Sequence, residues 1–189
     1  MKTLIIYAHP WQGSFNHHVL EVTTKLLEDA GHTVDLIDLN RDGFNPVMRQ
    51  EDLKEFAKGE YADKLAGHYA KRMKDADELV FIFPIWWYGE PAILKGFYEK
   101  VLLKGHTYEE VDGKLQGVLG IDKATILTTA NIDKTIFSYL GDPIQNVLAN
   151  GILKTVGVNN VTWLHCPTVH IEASRNKYLS EISEHFSKK

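Results

Sequence analysis

Two short stretches of this sequence place residues that do chemistry close together. The first is His9-Pro10-Trp11-Gln12-Gly13-Ser14-Phe15-Asn16. Gly13 permits a tight turn, and Ser14 is of the type that caps a helix behind it. The free amides of a first helical turn, helped by the helix dipole, make an anion site suited to phosphate. His9 and Asn16 add donors. A strand-to-helix turn with an ordinary cap explains the same residues, and taken alone it is the simpler reading. The second stretch is Pro84-Ile85-Trp86-Trp87-Tyr88-Gly89-Glu90-Pro91. Three consecutive aromatics at a strand tip cannot all enter one core, so some line a cleft or a subunit contact. A flat tricyclic ring suits such a cleft, because aromatic faces stack near it while loop amides bond its polar edge. A third stretch, Thr128-Thr129-Ala130-Asn131, offers small residues and hydroxyls that let backbone approach a ring edge.

These stretches gain meaning from the elements that must carry them. Short apolar runs alternate with amphipathic segments, the pattern of an α/β domain. Leu4-Ile5-Ile6-Tyr7 is continuously apolar and reads as a strand buried on both faces. From Ser14 a helix follows, with Phe15, Val19, Val22, Leu26, Leu27 and Ala30 on one stripe and Gly31 closing it. A half-exposed edge strand is expected over about 33–39, then loop and a short helix over 40–60, and a helix from Tyr61 to Asp75. Leu79 to Phe83 is the strongest buried strand, halted by Pro84. Pro91 opens a helix to about Leu103, in the first-turn position where proline needs no donor. The segment 105–122, with four glycines, reads as loop. A fourth strand is expected over Ala124–Thr129, a helix over Pro143–Val156, a fifth strand over Val161–Leu164 and a closing helix over Ser174–Phe186. Right-handed crossovers with the second strand at an edge give a single doubly wound domain over residues 1–189, sheet order 2-1-3-4-5. Ligands in such sheets lie beyond the carboxyl ends of the strands where the order reverses, here between strands one and three. The first two stretches sit at those ends.

Composition narrows the classes. A chain of 189 residues with 44% hydrophobic and 24% charged content is ordinary globular protein. A net charge of −4 offers no basic field for nucleic acid or anionic membrane. One cysteine, Cys166, excludes an internal disulfide and suits a reducing compartment, and no apolar run is long enough to cross a bilayer. A cytoplasmic location is the expectation. There is no G-x-G-x-x-G and no Walker lysine pattern, so neither a Rossmann dinucleotide site nor an NTPase is indicated. The nine histidines fall in no metal-ligand spacing, and no metal site is expected. His165 and His170, near a strand end, read as packing or loop residues, and Lys188-Lys189 as an ordinary charged terminus.

On these residues the sequence resembles the flavodoxin-like NAD(P)H:quinone oxidoreductases along nearly its whole length. Tyr7-Ala8-His9-Pro10 with Ser14-Phe15-Asn16 resembles the family's first loop, and Phe83 through Gly96 its signature. The small bacterial branch, with general-stress reductases and ancillary subunits of potassium-efflux systems, is the most similar. The resemblance implies a homodimer with flavin in a cleft near the subunit boundary, FMN favoured over FAD, and NAD(P)H as co-substrate. It implies that His9, Ser14, Phe15 and Asn16 hold the phosphate end, that Pro84, Ile85, Trp86, Trp87 and Tyr88 meet the ring, and that Thr128, Thr129, Ala130 and Asn131 hold its other edge. Trp87 and Tyr88 would also contact a quinone-like acceptor, in a two-electron ping-pong hydride transfer from nicotinamide to flavin to acceptor. Ala130-Asn131 stands where many relatives have Gly-Gly, and the Tyr and His of the animal enzymes have no counterpart, so no catalytic proton donor is assigned. A flavodoxin-type electron carrier, or a flavin-bound regulatory subunit with a membrane transporter as partner, would use the same cofactor site.

Overall fold

The structure, a computed structural model, describes residues 1–187; Lys188-Lys189 lie outside them. Five parallel strands form the sheet: β1 (Lys2–Tyr7), β2 (Thr33–Asp38), β3 (Glu78–Pro84), β6 (Ile121–Thr129) and β7 (Val158–Cys166), in the order β2-β1-β3-β6-β7. With the hairpin strands β4 (Tyr108–Val111) and β5 (Lys114–Gly117) set aside, this is the expected 2-1-3-4-5 order. Continuous apolar strands require cover on both faces. Leu4, Ile6, Phe81, Phe83 and Ile126 pack with Tyr69, Phe97 and Leu148 on one side. Ile5, Tyr7, Val80, Ile82 and Leu127 pack with Val19, Leu27, Tyr178 and Ile182 on the other. The first face is covered by α3 (Lys64–Lys74), α4 (Ala92–Val101), α5 (Lys134–Tyr139) and a π-helix (Ile144–Leu153). The second is covered by α1 (Phe15–Asp29) and α6 (Glu172–Ser187), while α2 (Gln50–Phe56) buries no side chain.

Local chemistry sets the boundaries that matter for the site. Ser14, in extended backbone, accepts the His17 N–H at 3.1 Å and starts α1. Gly31 ends it at φ 81°, and the His32 N–H reaches back to the Leu27 carbonyl at 3.0 Å. The edge strand β2 is half exposed, and Arg72 ties it down by bonding Asp35 and the Leu36 carbonyl.

Several expectations need correction. Segment 105–122 is not only loop: Asp112 and Gly113, at φ 51° and 73°, turn a two-stranded hairpin. Pro91 caps α4 from outside the helix, with ψ 147°, instead of occupying its first turn. Gly13 has no positive φ; its lack of a side chain makes room for the Trp11 ring, which a Cβ would meet at 2.5 Å. Residues 144–153 coil as a π-helix inside the helix expected over 143–156. Strands β6 and β7 also begin three residues earlier than the apolar runs suggest. Among the described residues no helix is long and apolar enough to cross a membrane.

Candidate active site

The carboxyl ends of β1, β3 and β6 open on a cavity of about 280 Å³. Of the expected residues, His9, Ser14, Phe15, Asn16, Pro84, Ile85, Trp86, Thr129, Ala130 and Asn131 line it. Thr128 does not: it is fully buried, and its hydroxyl is engaged by Trp163 and His165. Trp87 and Tyr88 stand outside the lining, at the exposed tip of β3. Trp11 and Val169 also line the cavity, and sequence reasoning passed over both. Trp11 lay inside the quoted first loop. Val169 follows the strand end after Pro167, and its N–H bonds the Ala130 carbonyl at 2.9 Å.

One end of the cavity is polar. The amides of Phe15 and Asn16 precede the first intrahelical donor of α1, so they have no partner within that helix. His9 Nδ1 accepts the Trp11 N–H at 3.1 Å, which leaves Nε2–H as the donor of the neutral ring. Burial pushes the His9 pKa below the ordinary histidine range, and nearby His17 adds to the shift. Asn16 is buried and donates through Nδ2 to Thr129 Oγ1 at 2.7 Å, joining the first turn of α1 to the tip of β6. Its Oδ1 has no partner among the described residues. A buried acceptor left in that state costs free energy unless something donates to it.

The other end is aromatic and strained. The Ile85 N–H continues the β3–β6 ladder by bonding the Thr129 carbonyl at 2.9 Å. Beyond it, Trp86 and Gly89 exchange both backbone bonds, at 3.0 and 3.1 Å, around a two-residue turn. Trp87 and Tyr88 occupy that turn at φ 51° and 69°. Such turns favour Asn-Gly or Gly-Gly, and a bulky side chain in left-handed backbone is strained by about 1–3 kcal/mol. Trp87 is 94% exposed, so its own packing does not compensate. The His9 and Trp86 rings approach to 6.0 Å between centroids and bridge the two ends.

The sequence profile of the flavodoxin-like fold matches residues 1–189. The chain belongs to the flavodoxin-like fold family. Among relatives of this flavodoxin-like protein, an uncharacterised NAD(P)H oxidoreductase of Haemophilus influenzae is 28% identical over 187 residues, 97% of this chain and 92% of its own. NAD(P)H dehydrogenase [quinone] 1 of Rattus norvegicus is 32% identical over 82% of this chain, which spans 65% of the rat protein. A solved NAD(P)H:quinone oxidoreductase from Methanothermobacter marburgensis superimposes with a TM-score of 0.89 at 30% identity, covering 100% of this chain and 98% of that one.

Proposed function

We propose that this flavodoxin-like protein is a flavin-dependent NAD(P)H:quinone oxidoreductase, carried by one observation: a cavity with unpaired first-turn amides at one end and an aromatic turn at the other. The residues present fit a flavin. The Phe15 and Asn16 amides with the His9 Nε2–H suit a phosphate, and the unpartnered Asn16 Oδ1 suits a hydroxyl donor of a polyol chain. Backbone from Thr129 to Asn131, with Ile85 and Trp86, gives a ring an edge and an apolar wall. The mononucleotide is favoured over the dinucleotide, as the family resemblance implies. A flavin held by these residues would supply a two-electron hydride acceptor between NAD(P)H and a quinone-like acceptor, in the manner of a ping-pong reaction.

The chain's own residues orient and shield. His9 and the α1 terminus fix the charged tail, and the Asn16–Thr129 bond holds the start of α1 at a constant distance from the tip of β6. Trp87 and Tyr88 offer exposed faces on which a planar donor or acceptor stacks. Trp87 and Tyr139, 94% and 89% exposed, are also surfaces that a second copy would cover in a homodimer. The test is to denature purified protein and chromatograph what is released, then follow NAD(P)H oxidation with a soluble quinone. Released FMN and quinone-dependent turnover are expected. Protein that yields no flavin and takes up neither riboflavin, FMN nor FAD at saturation would end this reading.

A further inference from the structure

Behind the β6 edge of the cavity lies a hydrogen-bonded chain whose direction is forced by chemistry. His165 on β7 is buried, with Nε2 at 2.9 Å from the Ile132 carbonyl and Nδ1 at 2.8 Å from Thr128 Oγ1. A carbonyl only accepts, so Nε2 carries the proton and Nδ1 of the neutral ring is an acceptor. The Thr128 hydroxyl must then donate to Nδ1, and its oxygen accepts the Trp163 Nε1–H at 2.8 Å. The run Trp163 → Thr128 → His165 → Ile132 thus grips both ends of segment 128–132, whose middle residues, Thr129 to Asn131, line the cavity. The Phe137 and Trp163 rings flank the imidazole at 5.4 and 5.6 Å.

We infer that His165 is a positioning residue: its neutral ring holds segment 128–132 in place as the edge of the ligand cavity, and protonation of that ring, by reversing the Thr128 bond, weakens the hold. On protonation Nδ1 becomes a donor: the Thr128 oxygen can accept from it as well as from Trp163, but the bond reverses and the buried hydroxyl proton loses the acceptor it had. Water can deliver the proton, since a second cavity of about 570 Å³ opens behind the ring, lined by Lys134, Trp163 and His165 among others. Burial lowers the His165 pKa, the Ile132 bond opposes this, and Lys134 adds to the lowering. The charged and titratable groups around the ring are Asp133 and Lys134 at the start of α5, and Lys177, Tyr178 and Glu181 on α6. His170 also touches the segment, through Nδ1 to Asn131 Oδ1 at 2.7 Å, but it donates there in either protonation state, so acid leaves that bond intact.

The test uses three variants of the full chain. His165→Phe keeps a ring and loses both bonds, His165→Asn keeps an acceptor near Thr128, and His165→Gln keeps a donor that reaches Ile132. The first readout needs no ligand: hydrogen exchange of the peptide spanning 128–132, with a peptide from β1 as the folding control. Exchange at this peptide alone should rise most in the Phe variant, with partial rescue in Asn and Gln. The second readout rests on the flavin reading and is the affinity for FMN and for riboflavin, which carries no titrating phosphate. Affinity should fall about tenfold in the Phe variant, the scale of one lost hydrogen bond's worth of ordering. Wild-type riboflavin affinity should also weaken as pH falls below about 6.5, while the Asn and Gln variants lose that step although His9 is unchanged. Exchange that is unaltered in every variant overturns the inference. Flavin affinity and pH profile unaltered in all three overturn its link to the site. Altered exchange in a protein that binds no flavin leaves the positioning role standing and removes the proposed function instead. If the Phe variant fails to fold, the Asn and Gln variants carry both readouts.

Discussion

The tips of β1 and β3 face one cavity and are built by opposite means. At β1 the polar groups are placed by satisfied local bonds: Ser14 caps α1, His9 takes the Trp11 amide, and buried Asn16 reaches Thr129. At β3 two large aromatics hold left-handed backbone, Trp87 with almost no packing of its own and Tyr88 partly covered. The first tip is a place where stability and binding run together, because each bond that orders the loop also aims a donor. The second is a place where they oppose each other, since the turn is less stable than a glycine turn and keeps exposed aromatic surface for something else to cover.

Substitutions at the two tips should therefore differ in sign. The largest effect is expected from Asn16→Asp, which puts a carboxylate into a buried position beside the anion site. FMN affinity should fall by a factor on the order of a hundred, or about 3 kcal/mol, in a fluorescence-quenching titration. An undiminished affinity would erase the distinction at the polar tip. Next in size is the double change Trp87→Asn with Tyr88→Gly, which supplies the residues that this turn geometry favours. Urea unfolding should show a gain of about 1–2 kcal/mol, while KM for the quinone rises. A loss of stability would mean that the aromatics pack better than their exposure indicates. Ser14→Ala should cost about 1 kcal/mol in the same unfolding experiment, the usual value of a helix cap. The smallest effect belongs to His9. Its folded pKa lies below the unfolded value near 6.5, so between the two the unfolded chain binds more protons. Its contribution is complete above that window and is lost as pH falls through it; His9→Gln should flatten the acid side of the stability curve of ligand-free protein. An unchanged slope would show that His9 plays no part in it.

How legible each tip was follows from the same contrast. β1, β3, the half-exposed β2, the Ser14 cap and the Gly31 stop all follow from local chemistry and apolar period, and the structure keeps them. The turn at β3 was hidden because its glycine, Gly89, comes after the two positive-φ positions instead of within them. Asp112-Gly113 did carry a hairpin signal, but the strands beside it are nearly all exposed, so no alternating apolar residues frame it. The π-helix buries Ile144, Leu148, Ala149 and Leu153, spacings that an α-helix also satisfies, so period alone could not separate the two. At Thr128-Thr129 the sequence gives two hydroxyls without saying which faces the cavity. Strand alternation sends Thr129 to Asn16 and Thr128 to His165, and it was the partner strand β7 that decided. His165 itself read as a packing residue, which holds for its burial and omits what its two nitrogens grip.

The one thiol in the chain gives the molecule a built-in clock. Cys166 is sealed at the end of β7, and its carbonyl accepts the Ala130 N–H at 2.9 Å from the strand that edges the cavity. A thiol reagent can modify it only when that neighbourhood parts, so the labelling rate counts spontaneous openings of this part of the sheet. No engineered reporter is needed to time them, with ligand present or absent.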